Sequence, residues 1–344
     1  MAESLLSPLG AVCFLIAVVP VGAFLAGLVG LDSYELVPLR AVLGLLVAGT
    51  VVALACLLVN PWLREALGLD PRPFARFVAP VVEEALKAAV VVWALATRRV
   101  GFLVDAAIVG FAVGAGFAAI ENTHYFLVLG EPRPGTWLVR GFGTAVMHGG
   151  ATSLFGVASK HFGDVWRRRG PWGFLPGFLF ASGVHSLYNS FLVAPDLSAV
   201  LLLVGLPPLF FLVYSVSERA TERWLGTGFD SDQELLLRIQ RGEIGSSPLG
   251  RYLAELRRHF PATVVADMLC YLRLHAELSI KAKGSLLLRK AGFDPPPDPT
   301  VKERFAELEY LERAIGPTGL LALKPLRPVS RRDLWERHML GAVR

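Results

Sequence analysis

Seven stretches of the chain run for about twenty residues or more with few or no charges, and polar or turn-rich segments separate them. They lie at about Leu9–Leu31, Val37–Val59, Arg76–Thr97, Phe102–Leu129, Leu138–Ser159, Gly173–Ala194 and Leu197–Ser217. A helix of roughly twenty apolar residues is long enough to cross a bilayer, so each stretch predicts a membrane helix. No basic segment precedes the first stretch, and it is longer than the core of a signal peptide, which predicts a retained helix. Between the second and third, Pro61, Gly68, Pro71 and Pro73 surround Trp62–Leu67, and Asn60–Arg76 reads as an interfacial loop with a short amphipathic turn.

Beyond Ser217 the pattern becomes amphipathic. Helices are predicted over Asp232–Arg241, Pro248–His259, Pro261–Lys283 and Val301–Ile315, with the proline-rich run 294–299 as a stiff linker. Leu253, Leu256 and Phe260 make one apolar face; Phe305, Leu308 and Leu311 make another, beside Glu309 and Glu312. The expected fold is all-α: a polytopic membrane bundle of about seven transmembrane helices over 1–217, followed by an all-helical soluble domain over 218–344.

Composition agrees with that division. The chain has 344 residues, a mean hydropathy of +0.51 and 18% charged residues, against about a quarter charged in soluble domains. Residues 1–217 hold 13 basic and 12 acidic side chains, and 218–344 hold 21 and 17. The mixed charge of the second part suits a solvated domain near anionic headgroups and argues against a nucleic-acid partner. Lys160 and Arg167-Arg168-Arg169 sit between the fifth and sixth stretches, whereas Ala194-Pro195-Asp196 after the sixth holds no basic residue. The positive-inside rule then puts 218–344 in the cytoplasm of a multi-pass protein of the cell membrane; Arg64, Arg72 and Arg76 run against this orientation. Cys13, Cys56 and Cys270 have no metal-ligand spacing, and His259, His275 and His338 read as ordinary helix or surface residues.

The chemistry begins at Val81–Lys87, reading Val-Val-Glu-Glu-Ala-Leu-Lys, where two adjacent carboxylates and an ammonium fall inside an apolar run. Charges at membrane depth are costly, face the bundle interior and usually mark function. On a helix Lys87 reaches Glu83 or Glu84. In the fourth stretch Gly114, Ala118, Glu121 and Tyr125 share a face whose small residues permit close packing and aim Glu121 at a neighbouring helix. The fifth carries His148, with Thr152 and Ser153 after it, and the sixth carries His185 and Asn189 one turn apart. At 1.5 Å per residue and with alternating helix direction, all these groups fall roughly 8–15 Å from the same end of the bundle. Two carboxylates, two histidines and an amide at one depth suit water activation: a Glu takes the proton, an imidazole shares it, and His or Asn donors hold the oxyanion. His148, His185 and one Glu could instead hold zinc, although the usual His-Glu-x-x-His helix is absent; the metal-free form is favoured. There is no Gly-x-Ser-x-Gly and no phosphate loop, which leaves Ser182 and Ser186 as the only serine candidates in view.

Glu83-Glu84-x-x-Lys87, Gly114-x-Gly116-Phe-Ala-x-x-Glu121-Asn122, His148 and His185-x-x-x-Asn189 together resemble the PrsW family of glutamic-type intramembrane proteases, a branch of the superfamily that includes the CaaX-prenyl endopeptidases. The resemblance covers about Pro80–Asn189. It implies a Glu-dependent protease acting on membrane-anchored proteins in the lipid bilayer, such as an anti-sigma-like factor in regulated proteolysis. It also implies Glu83 and Glu84 as the catalytic pair and His185 with Asn189 as the last catalytic motif, with Lys87, Glu121 and Asn122 in support. The sequence departs from the CaaX endopeptidases in two places. Lys87 stands where they have Arg one residue later, and Phe117-x-x-x-Glu121 stands where they have Phe-x-x-x-His. Both departures argue against prenyl-protein substrates and leave the partner of the base open between His148 and His185. The other class of function is an ion-coupled transporter with a buried Glu/His proton relay; it would show inverted repeats and broken helices, and neither is visible.

Overall fold

The computed structural model describes residues 7–34, 36–97, 100–129, 133–165, 170–293, 295, 298–326 and 340. Among them every regular element is helical. Arg167-Arg168-Arg169, His338 and residues 294, 296 and 297 of the proline-rich run lie outside the described residues. The chain divides into two compact units, Met1–Ser217 and Glu218–Arg344.

In the first unit, α1 (Pro8–Gly30) starts at Ser7, whose hydroxyl accepts from the Gly10 amide at 3.1 Å. α2 (Leu39–Ala66) runs straight through Asn60-Pro61, where the sequence predicts a loop. The helix formers Arg64, Glu65 and Ala66 carry it past the proline, and the actual stop is Gly68 at φ 62°, a left-handed position that suits glycine. The cap is closed by bonds from Gly68 N to Glu65 O and from Leu69 N to Arg64 O. The chain then re-enters a helix at Pro71, where a missing N–H costs nothing. One turn, Pro71–Pro73, and a π-helical turn, Phe74–Val78, lead directly into α3 (Ala79–Ala96).

α4 (Leu103–Leu129) is the axis of this unit: every residue from Val104 to Ala118 is buried. It packs against α1, α2, α3 and α5 (Val146–Val165). Glycines make the closest approaches possible. A methyl on Gly114 would collide with the His148 carbonyl of α5, and one on Gly116 with the Leu46 carbonyl of α2. α5 is led in by a turn, Pro134–Leu138, and a second π-helical turn, Val139–Ala145. It continues to Val165, so Lys160 is a buried helical residue and not the start of a loop. α6 spans Leu175–Asn189. α7 spans Pro195–Gln240, past the expected end at Ser217 and through the predicted helix 232–241. The polarity change at Ser217 marks the end of an apolar run, and nothing after it breaks the helix, since residues 218–240 contain no proline.

Among the described residues four helices, α1, α2, α4 and α7, are long and apolar enough to cross a membrane. The other three expected segments are helices of 18, 20 and 15 residues, α3, α5 and α6. They carry Glu83, Glu84, His148 and His185.

The second unit packs α8 (Pro248–Leu256), α9 (Ala262–Lys290) and α10 (Thr300–Ala322). The two faces read from sequence share one core, in which Leu253 and Leu256 join Met268, Phe305, Leu308 and Leu311. α10 kinks at Gly316, φ 70°, just before Pro317.

Candidate active site

Spacing within α3 sets the first contact. Lys87 lies three residues after Glu84, so its Nζ reaches Glu84 Oε1 at 2.5 Å. Neither side chain is more than 2% exposed. The α4–α5 approach at Gly114 then places His148 Nδ1 3.0 Å from the same Nζ, and the Phe117 ring centre lies 4.3 Å from it. α6 adds His185, whose Nδ1 is 3.0 Å from Glu84 Oε1, and α5 adds Thr152, whose hydroxyl is 3.3 Å from Glu84 Oε2. Glu84 Oε1 thus accepts twice, while the single Thr152 hydrogen has its shorter bond to His148 O at 2.9 Å.

These contacts fix the imidazole hydrogens. An ammonium only donates, so His148 Nδ1 accepts from Lys87 and its Nε2 carries the hydrogen towards Glu121 Oε2, 3.1 Å away. His185 donates from Nδ1 to Glu84, and in the neutral ring its Nε2 lone pair faces Glu83 Oε2 at 3.8 Å, beyond hydrogen-bond reach. The two rings meet edge-on with centres 4.6 Å apart. Among the described residues Glu83 is held on its other oxygen only, by Asn60 Nδ2 of α2 at 2.9 Å.

Glu121 has a second partner, Arg140 Nη2 at 3.3 Å, and the Arg140 guanidinium lies over the Tyr125 ring at 4.0 Å. Sequence reasoning missed Arg140 and Asn60. Each is a polar residue in or at the edge of an apolar run, and there it reads as a helix boundary.

The two asparagines of the motifs stand apart from the carboxylates. Asn122 Nδ2 donates to Arg140 O at 3.3 Å and to Ala17 O at 2.7 Å, and its Oδ1 accepts from Arg140 Nε at 3.0 Å. Asn189 Nδ2 donates to Ala75 O at 3.1 Å. Arg140 and Ala75 both belong to π-helical turns, where the backbone bonds are displaced from the α pattern. Each amide therefore ties down the turn that leads into a site helix, α5 or α3. Ser182 Oγ is enclosed and has no hydrogen-bond partner among the described residues, so no base is placed to activate it.

The structure thus brings Glu83, Glu84, Lys87, Glu121, His148 and His185 together from α3, α4, α5 and α6; all are buried except Glu121, which is partly exposed. Three carboxylates face two fixed cations, Lys87 and Arg140, which leaves one negative charge for a proton or a cation to cover. The profile of the PrsW family intramembrane metalloproteases matches residues 37–216, the segment that contains all of these groups. The chain belongs to the PrsW family. It is an integral membrane protein and an intramembrane protease, whose substrates are membrane proteins. The transporter reading is not favoured by this membership. No curated protein and no solved structure matches the chain.

The family description includes a metal, and the residues can be tested against one. Glu83, His148 and His185 each offer a ligand atom, all within 4.8 Å of one another. His185 is backed by Glu84, as metal-bound imidazoles usually are by a carboxylate. With the uncovered negative charge, this donor set fits zinc on one condition. His148 Nε2 must give up its hydrogen, which requires the proton of Lys87 that faces Nδ1 to leave.

Proposed function

We propose that this PrsW protein hydrolyses peptide bonds of membrane-anchored proteins with water activated by Glu83. The observation that carries this reading is the difference between the three carboxylates. Glu84 accepts from Lys87 and His185, with the Thr152 hydroxyl 3.3 Å from its other oxygen, and Glu121 is held by His148 and Arg140. Glu83 Oε2 has no hydrogen bond among the described residues and lies 3.8 Å from the His185 ring nitrogen. A water there gives its proton to Glu83, and the His185 ring nitrogen shares that hydrogen. Glu84 holds the His185 ring in place, and Lys87 fixes the His148 hydrogen on Nε2, where Glu121 accepts it. Glu121 and Arg140 fix the far side of His148.

If a metal is bound, Glu83, His148 and His185 would hold it, and it would supply a Lewis acid that acidifies its water. The metal-free form is favoured because Lys87 makes His148 a donor. An anti-sigma-like factor anchored in the cell membrane is the substrate class the family implies, with 218–344 on the cytoplasmic side. Comparison of new peptide termini in membranes bearing wild type or Glu83→Gln tests the reading. Loss of a proteolytic base is expected to lower cleavage about 10²–10⁴-fold. Equal cleavage at equal membrane levels would sink the mechanism.

A further inference from the structure

Asn60 has no role in the reaction as described so far, yet it touches the base. Its Nδ2 donates to Glu83 Oε1 at 2.9 Å. The opposite amide orientation would set two oxygens against each other, so the orientation follows from the chemistry. Asn60 Oδ1 is then enclosed, and among the described residues it has no donor. An enclosed amide oxygen without a donor is unfavourable, and proteins seldom keep one without a use. Its position is fixed by packing: Cys56, one turn earlier on α2, is buried in a cluster with Val52, Ala53 and Phe117.

A water molecule has two hydrogens. Glu83 removes one as a proton; the other must be held by an acceptor if the lone pair is to point at the substrate carbonyl. The His185 Nε2 lone pair beside Glu83 is taken up by the first hydrogen, and Asn60 Oδ1 is covalently tied to the amide nitrogen that grips Glu83.

We propose that Asn60 is a further catalytic residue, whose Oδ1 accepts the second hydrogen of the attacking water. The inference rests on Glu83 as base. As the water oxygen bonds to the carbonyl carbon, its first proton passes to Glu83. The second hydrogen stays on the new hydroxyl, still bonded to Asn60 Oδ1. When the C–N bond breaks, Glu83 returns its proton to the leaving amine, so charge and atoms balance.

The test uses the purified full chain in micelles with a synthetic single-span peptide that carries a fluorophore and a quencher at its ends. Wild type and Glu83→Gln are run beside it. If wild type does not cut, or Glu83→Gln cuts as well as wild type, the underlying proteolytic reading fails. Given a dead Glu83→Gln, Asn60→Ala is expected to lower kcat about 100-fold with KM unchanged. Asn60→Asp keeps the acceptor and loses the donor, so its kcat should exceed that of Asn60→Ala about tenfold or more. If Asn60 only orients Glu83 through Nδ2, Asp is no better than Ala, and that result overturns the proposal. A kcat for Asn60→Ala within twofold of wild type also overturns it, as does a loss confined to KM. Should Asn60→Ala not accumulate, Asn60→Asp alone decides: a kcat within about tenfold of wild type supports the role, and a folded, inert protein refutes it.

Discussion

Replacing Lys87 by methionine strikes the contact on which the polar layer depends. Methionine fills much of the same volume, so the change is chiefly the loss of an ammonium. That ammonium is wholly buried, 2.5 Å from Glu84 Oε1 and 3.0 Å from His148 Nδ1. Its removal leaves Glu84 charged in a buried setting with only His185 and Thr152 as partners. Breaking one side of a buried pair costs about 3–5 kcal/mol, and no solvent screening reduces that at this depth. Glu84→Gln strands Lys87 in the same way and should cost about as much. The double variant leaves no uncompensated charge, so its loss should fall short of the sum of the singles by about 2–3 kcal/mol. Unfolding in mixed micelles with increasing dodecyl sulfate, followed by tryptophan fluorescence, measures all four corners of the cycle. Singles costing under about 1 kcal/mol, or a double that is additive within about 0.5 kcal/mol, would refute the claim that this pair organises the site.

Three further expectations follow from the geometry. Gly114→Ala forces the His148 carbonyl away; it should cost about 1–3 kcal/mol and reduce activity through the displaced ring, and normal activity would dismiss the close approach as incidental. In the favoured metal-free form, purified protein keeps its activity in chelator; stoichiometric zinc, lost together with activity in His185→Gln, would convert the reading to a metalloprotease. In the second unit, the Lys281 ammonium and then the Thr300 hydroxyl and amide lower the Asp298 carboxyl from 3.8 to about 2. A depressed carboxyl stabilises above its unfolded value, and that contribution disappears as pH falls from about 4 to about 2. Asp298→Asn should flatten that part of the acid response in amide exchange of residues 262–322, and an unchanged response would remove Asp298 from the account.

Some of this was readable because the bilayer leaves little choice. Glu83, Glu84 and Lys87 in an apolar run had to turn inward, and the periodicity of α4 put Glu121 on the face that meets α5. Other features left no trace in composition. A π-helical turn differs from an α turn by one residue, so the leads into α3 and α5 could not be read, nor the carbonyls that Asn122 and Asn189 clasp. Depth along a helix was legible for Asn189, but the direction of its amide was not. Helix ends failed where polarity and backbone part company: Pro61 lies inside α2, and α7 continues beyond Ser217.

The two π-helical turns also bear on how such a site can diverge. Each amounts to a helix with one surplus residue, and 3.6 residues per turn make that residue a rotation of about 100°. Deleting one residue from Phe74–Val78 would restore an ordinary helix and swing the Pro71–Pro73 entrance around its axis, while α3 kept its carboxylates in place. The same holds for Val139–Ala145 and the approach to His148. Single-residue gain or loss at these two points therefore re-indexes the chain leading into α3 and α5, and at Val139–Ala145 it also moves Arg140 relative to Glu121. Differences in how the site helices are approached are to be sought there as length differences and not as substitutions.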